Sequence, residues 1–195
     1  MTALPNRPHM SVEEYLRLDR SSDETRYEYI DGIVTMLAGG TADHSTISVN
    51  ITSILHRLLR ASPCRVYNSD LRVRLSETRY VYPDISISCH EQDRGRIDTV
   101  QFPRLIIEVL SPGTAKYDRG MKFTYYRECP TVQEYVLIDT QRPLIDVYRK
   151  QTSNLWTLHI FGEGDEIEFA SLNIRFPIAS VYEHVSFIEE DNSPA

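Results

Sequence analysis

What this chain has little of narrows its class first. Its three cysteines, Cys64, Cys89 and Cys129, are an odd number at spacings that suit no zinc site. They read as free buried thiols in a reducing compartment. No apolar run approaches the ~20 residues of a membrane span, and the opening MTALPNRPHM lacks a hydrophobic signal core. The expectation is a cytoplasmic protein with no membrane contact. A phosphate-binding loop, a dinucleotide fingerprint, an internal repeat and a glycine-flanked serine elbow are all missing, which removes several enzyme classes. Basic charge is short too, with 21 Lys and Arg against 28 Asp and Glu, a net −7. That balance argues against a tight nonspecific grip on nucleic acid, although local patches decide binding.

What is present suffices for one core. A chain of 195 residues, 41% of them hydrophobic, can bury about 70% of the surface its unfolded form exposes. We expect a single domain over 1–188 and a flexible tail, EEDNSPA, over 189–195. Ser11 and Glu14 match a capping box ahead of a short helix. YEYIDGIVTML places Asp31-Gly32 between two apolar arms, a hairpin signal. Ile47, Ile51, Ile54, Leu55, Leu58 and Leu59 recur at helical spacing behind Thr41 or Asp43 as cap. CRVYNSDLRVRL reads as one strand that pairs with VYPDISISC, and Tyr117 to Cys129 as a helix stopped by Pro130. EYVLIDT, LIDVYRK, LWTLHIF and SLNIRF are further strands, and Ala179 to Val185 is a last helix. The fold class is α/β, a central mixed β-sheet flanked by the His44 to Arg60 helix and the Tyr117 to Cys129 helix.

Acids inside apolar segments carry the functional signal. Glu108 interrupts RLIIEVL, a run that reads as a central strand covered on both faces. Asp84 follows Pro83, which lacks an N–H and marks an edge or bulge that re-aims the next side chain. A carboxylate in such surroundings needs a partner, because even a neutral polar group left unpaired costs roughly 2–7 kcal/mol. Mg²⁺ prefers such oxygens, while a buried pair with arginine is the structural alternative for Glu108. Glu28 is either an edge-strand acid in solvent or an inward one. His44 is a first-turn histidine, by residue type a surface or capping group. Asp70 is a third acid or the partner of Arg72 or Arg74. Asp118, Lys122 and Tyr126 share a helix face, where Asp118 and Lys122 also make an ordinary ion pair worth about 0.3–0.5 kcal/mol.

YEYIDG, the following histidine, SDLRV, YPDISI, LIIEVLSPGT and the Asp118, Lys122, Tyr126 spacing together resemble the Uma family of putative restriction endonucleases. That family lies in the PD-(D/E)XK nuclease superfamily, and the resemblance runs from about Met10 to Val147. It implies a restriction-endonuclease-like core and Mg²⁺-dependent hydrolysis of DNA phosphodiester bonds, with Mn²⁺ as a substitute. Glu28, Asp84, Glu108 and Lys122 are then the catalytic set, and Asp84, Glu108 and Glu28 the metal ligands. His44, Asp70, Asp118 and Tyr126 stand at the site's edge, and a homodimer would serve two-strand cutting. One position departs from the superfamily pattern: Leu110 stands where a lysine would follow the glutamate by two residues, so Lys122 or Lys116 has to take that role. Leu110 and the acidic charge also support an alternative, a catalytically inactive nuclease fold acting as a nucleic-acid-binding or accessory module. A two-carboxylate glycosidase is a third reading and needs acids on opposite walls of a cleft.

Overall fold

Ser11 Oγ accepts the Glu14 N–H, and Glu14 returns a carboxylate oxygen to the Ser11 N–H. Helix α1 (Val12–Ser21) therefore begins with two otherwise orphaned donors satisfied. The structure, a computed structural model, describes residues 9–22, 25–37, 39–96 and 98–187; the tail expected at 189–195 lies outside them. A hairpin of β1 (Tyr27–Ile30) and β2 (Ile33–Met36) turns at Asp31 and Gly32. Both have positive φ, +48° and +93°, the backbone hand that a tight two-residue turn needs to match strand twist. Helix α2 (Ala42–Leu58) starts where Thr41 Oγ1 accepts the His44 N–H. It buries Ile47, Ile51, Ile54 and Leu55, while Leu58 turns outward at 40% exposure.

The stretch expected to be one strand is two. It forms β3 (Arg65–Asn68) and β4 (Arg72–Ser76), because Asn68 turns the chain by accepting the Asp70 N–H on its side chain and the Leu71 N–H on its carbonyl. Its partner is likewise divided, into β5 (Arg79–Val81) and β6 (Ile85–Ser88), at Tyr82-Pro83-Asp84. Next come β7 (Thr99–Val100) and β8 (Leu105–Val109). A helical segment follows as α3 (Ala115–Tyr117), a π-helical turn over Asp118–Lys122, and α4 (Phe123–Glu128). The chain continues through β9 (Glu134–Ile138), β10 (Ile145–Lys150), β11 (Trp156–Phe161), β12 (Glu166–Phe169) and β13 (Ile174–Pro177). In place of the expected last helix there is a shorter 3-10 turn, Ile178–Tyr182.

These strands build a five-stranded sheet, β2-β1-β5-β4-β7, a six-stranded sheet, β11-β10-β9-β8-β6-β3, and the small pair β12-β13. Both large sheets are mixed: β8 runs parallel to β9 and antiparallel to β6, and β4 runs parallel to β7. The breaks after β3 and β5 are where the chain passes between the two large sheets. Strand β8 lies inside the six-stranded sheet with all five residues buried. On one face, Ile85, Ile87, Leu105, Ile107 and Val109 pack under α2. On the other, Ile106 and Leu110 join Tyr126, Val132, Tyr135 and Leu137. Among the described residues no helix is long and apolar enough to cross a membrane.

The cysteine expectation is corrected. Cys64 and Cys89 form a disulfide at the ends of β3 and β6, and only Cys129 is a free buried thiol. The antiparallel register Arg65↔Ser88 makes the two flanking cysteines cross-strand neighbours, a contact that 25 residues of separation hide from the sequence. The inference of a reducing compartment thereby loses two of its three thiols.

Candidate active site

The acids come from both sheets. Glu28, on β1, is 3% exposed, so its inward reading is the one the fold adopts. Its Oε1 faces the Tyr82 N–H at 3.3 Å, the donor released where β5 gives way to β6 at Pro83. Continuing the β6–β8 register one step beyond Ile85↔Ile107 sets Asp84 opposite Glu108, so the two belong to one side of the sheet. Acids on opposite walls of a cleft are not what this register gives. Asp84 Oδ2 accepts the Val109 N–H at 2.7 Å, and Oδ1 stands 3.2 Å from His44 Nε2.

Lys122 is a lysine that reaches the acids. Leu110, at the superfamily's lysine position, is 3% exposed and packs in the core beside Tyr126. From the π-turn, Lys122 Nζ reaches Glu108 Oε1 at 2.9 Å, Glu28 Oε1 at 3.2 Å and Asp118 Oδ1 at 3.7 Å. Glu108 thus pairs with a lysine rather than an arginine. Tyr126 donates its hydroxyl to the same Glu108 oxygen at 2.6 Å, and Tyr135 donates to the Asp118 carbonyl at 3.0 Å. The π-turn contains Gly120, a weak helix former, and π-turns inside helices are frequent at functional sites. Lys116, the other candidate, is exposed.

Charge is unbalanced here: Glu28, Glu108 and Asp118 surround one ammonium, and Asp84 acts on Glu108. Burial pushes Glu108 up to about 8; Lys122 opposes this, while Asp84, Asp118 and Glu28 reinforce it. Burial alone would lower Lys122, but Glu108, Glu28 and Asp118 outweigh it and hold the amine well above its ordinary value. The two shifts agree physically, since a surplus of anions keeps the cation charged and drives one acid to take a proton. Burial likewise raises Asp118. His44 is raised chiefly by its hydrogen bond to Asp84.

His44 and Asp84, each with a side chain 19% exposed, form the solvent end of the cluster, and Lys122, Glu108 and Glu28 lie behind them. Two contributors escaped the sequence reading. Gly40 lies so close to His44 that a Cβ on it would meet Nδ1 at 2.7 Å; the Gly39-Gly40 pair was the available signal. Tyr117, 39% exposed, carries a phenol pushed up to about 12 by burial and by Glu28; nothing in its sequence context set it apart. Asp70 does not join the cluster. It is exposed in the turn before β4, bonded to Asn68 and 3.7 Å from Arg26, whereas Arg72 is buried on Asp19 and Asp98. The expected partnership of Asp70 with Arg72 or Arg74 is therefore corrected to Arg26.

The donor chemistry suits a hard divalent cation: carboxylate oxygens, a surplus of negative charge and an open side. Among the described residues no group of three or more His, Cys, Asp or Glu side chains converges to hold a metal. An ion at Asp84 and Glu108 would take two carboxylates and fill its shell with water and substrate oxygen, as Mg²⁺ commonly does.

Known proteins fit this picture. A family model described as "Uma2: Putative restriction endonuclease" matches residues 12–179. An uncharacterized Synechocystis protein, slr1290, is 34% identical over 181 residues, covering 92% of this chain and 95% of its own. A second from that organism, sll1609, is 32% identical over 170 residues, 85% of this chain and 95% of its own. The crystal structure of a putative nuclease belonging to DUF820 from Anabaena variabilis superposes with a TM-score of 0.73 at 20% identity, covering 89% of this chain and 98% of that one. That likeness establishes the shared fold.

Proposed function

The chain belongs to the Uma2 family of putative restriction endonucleases, and from that premise we propose that it hydrolyses DNA phosphodiester bonds with Mg²⁺, Mn²⁺ serving as substitute. The observation that carries this is the meeting of Asp84 and Glu108 on one side of β6 and β8 with the Lys122 ammonium 2.9 Å from Glu108. Asp84 and Glu108 would hold the ion. Bound there, it supplies a water of lowered pKa and neutralises charge on the phosphate.

The chain's own groups do the rest. Tyr126 and Lys122 both bind Glu108 Oε1, which turns the other oxygen of that carboxylate away from them. Glu28 shares the ammonium and fixes its position through the Tyr82 N–H. An ammonium has three donors. Glu108 and Glu28 lie close enough to take two, and Asp118 at 3.7 Å is too far for a third, which leaves one for the attacking water or the phosphate. His44, at the solvent end, would donate to a phosphate oxygen as substrate enters. Such preset donors stabilise developing charge without reorganising. The acidic net charge fits a nuclease that engages DNA locally rather than coating it.

Cleavage of supercoiled plasmid with and without Mg²⁺ tests the reading, with Glu108→Ala and Lys122→Ala alongside. Loss of nicking in both variants is expected. Equal cleavage by wild type and variants would locate the activity elsewhere. No cleavage by wild type with DNA binding retained would favour the second reading, a nucleic-acid-binding module, which the buried Leu110 in the lysine position supports.

A further inference from the structure

The π-turn serves two places. Lys122, with Asp118 beside it, turns to Glu108, while Arg119 lines a cavity of about 580 Å³. Strands β10 and β11 form one wall of that cavity. Their register pairs Tyr148 with Leu158 and Asp146 with Ile160, which sets the four side chains on one face of the sheet. Leu110 and the turn after β9, Asp139 to Arg142, line it as well. The cavity thus lies at the carboxyl ends of β8 and β9, which run parallel, while β6 on the other side of β8 runs antiparallel. Such a reversal of strand order is where α/β sheets commonly hold ligands, and the volume is that of an ordinary small-molecule site.

Its polar groups are few and only half engaged. The Asp146 side chain is 7% exposed, yet Arg119 Nη1 binds Oδ2 alone. Arg119 Nη2 stands 3.9 Å from Asp139 Oδ2, beyond hydrogen bonding. Among the described residues, Asp146 Oδ1 and the Nε and Nη2 groups of Arg119 have no hydrogen-bond partner. A buried carboxylate oxygen beside idle guanidinium donors is a pairing edge without its complement. The rest of the lining is mainly apolar, and Tyr148 is held there by Phe123, their ring centroids 4.3 Å apart.

We propose that this cavity holds a guanine base, either of the DNA beside the scissile phosphate or of a free nucleotide. A base has apolar faces and a polar edge, as the cavity does. A sugar, polar on all sides, would leave Leu158 and Ile160 without contacts, and an acyl chain would leave Arg119 and Asp146 unpaired. Guanine presents an O6 acceptor next to N1–H and N2–H donors, the complement of a guanidinium beside a carboxylate. Arg142, its side chain 67% exposed, supplies a second guanidinium for the attached phosphate. Arg119 and Arg142 balance Asp139 and Asp146, so a nucleotide meets no net repulsion here in a chain of −7. Leu110 follows Glu108 by about 7 Å of strand, which puts the cavity within reach of a base flanking a phosphate held at Glu108. Drawing that base out of the stack costs a few kcal/mol, which contacts to its edge and faces offset. The DNA source rests on the nuclease reading; the base site does not.

Amide NMR spectra of the full chain, titrated with guanosine 5′-monophosphate and no metal, test the site without any cleavage. Saturable shifts at Arg119, Leu158 and Ile160 are expected. Arg119→Gln should weaken binding by about tenfold, the worth of a lost hydrogen bond from a charged group. Leu158→Glu should abolish it with thermal unfolding unchanged, since that side chain is 46% exposed. A second arm separates the two sources: a duplex carrying 2-aminopurine beside a guanine, with Ca²⁺ in place of Mg²⁺. A rise in fluorescence that Leu158→Glu removes assigns the cavity to a base drawn from DNA. Monophosphate binding without that rise assigns it to a free nucleotide. The proposal is overturned if neither probe responds, or if the responses survive both substitutions. Failure of the nuclease reading alone would leave the monophosphate titration unchanged.

Discussion

Lys122 Nζ stands 2.9 Å from Glu108 Oε1, both side chains about nine-tenths or more buried and 14 residues apart in the chain. The contact joins the π-turn to the central strand and carries the Lys122 cation into the acidic cluster. Removing one member of a buried pair leaves the other uncompensated, at a cost of roughly 3–5 kcal/mol. Lys122→Met should therefore lower unfolding free energy by that order in urea titrations, and Lys122→Met combined with Glu108→Gln should recover part of it. Additive losses in the double variant would show that the two do not act as a pair.

Stability of the metal-free protein should fall as pH rises from about 4.5 to about 8. Glu108 is raised by burial to about 8, Asp118 is raised by burial, and His44 is raised by its bond to Asp84. In all three cases the folded state binds protons more tightly than the unfolded chain, so each proton lost on raising pH costs the folded state more. Unfolding measured in chelator across that range should show the decline, and Glu108→Gln should flatten it. A stability that climbs over the same window would contradict the burial of these groups.

Tyr126→Phe keeps a ring against Tyr135, whose centroid lies 4.8 Å away, and removes only the hydroxyl that binds Glu108. Metal-free, Glu108 holds its proton at neutral pH, and a hydrogen bond between neutral groups is worth about 0.5–1.5 kcal/mol. We expect a stability loss in that range and, if cleavage is found, a fall in rate of tenfold or more, as Glu108 becomes free to rotate. The check is single-turnover cleavage beside thermal unfolding.

Gly40→Ala should affect function more than stability. The new methyl would press on the His44 ring at 2.7 Å and move Nε2 away from Asp84. Thermal unfolding should change little, because the ring lies at the solvent end of the cluster, while cleavage falls by about the same factor as in His44→Ala. Full activity in Gly40→Ala would remove His44 from the mechanism.

Arg72→Met should destabilise the protein by about 3–5 kcal/mol, because it leaves buried Asp19 without its cation. Asp19 on α1 also accepts the Tyr82 hydroxyl at 2.7 Å, next to the break that presents Asp84. Urea unfolding measures the loss, and retention of wild-type stability would show that α1 is not anchored through this contact.

The sequence by itself determined the elements whose causes are local. The Ser11 and Glu14 caps, the Asp31-Gly32 turn, the apolar stripe of α2 and the buried run around Glu108 each depend on side chains a few positions apart, and each formed as read except that Leu58 turns out of the α2 stripe. Family likeness grouped Glu28, Asp84 and Glu108 as one set and suggested a distant lysine. Tertiary structure decided what depends on long loops closing. It divided two expected strands between two sheets, turned Glu28 inward through the Tyr82 N–H, joined Cys64 to Cys89, and left Asp70 outside with Arg26. It also brought Lys122 to Glu108. Such contacts are selected by burial and charge balance over the whole fold, and periodicity along the chain carries no record of which residues end up facing one another across it.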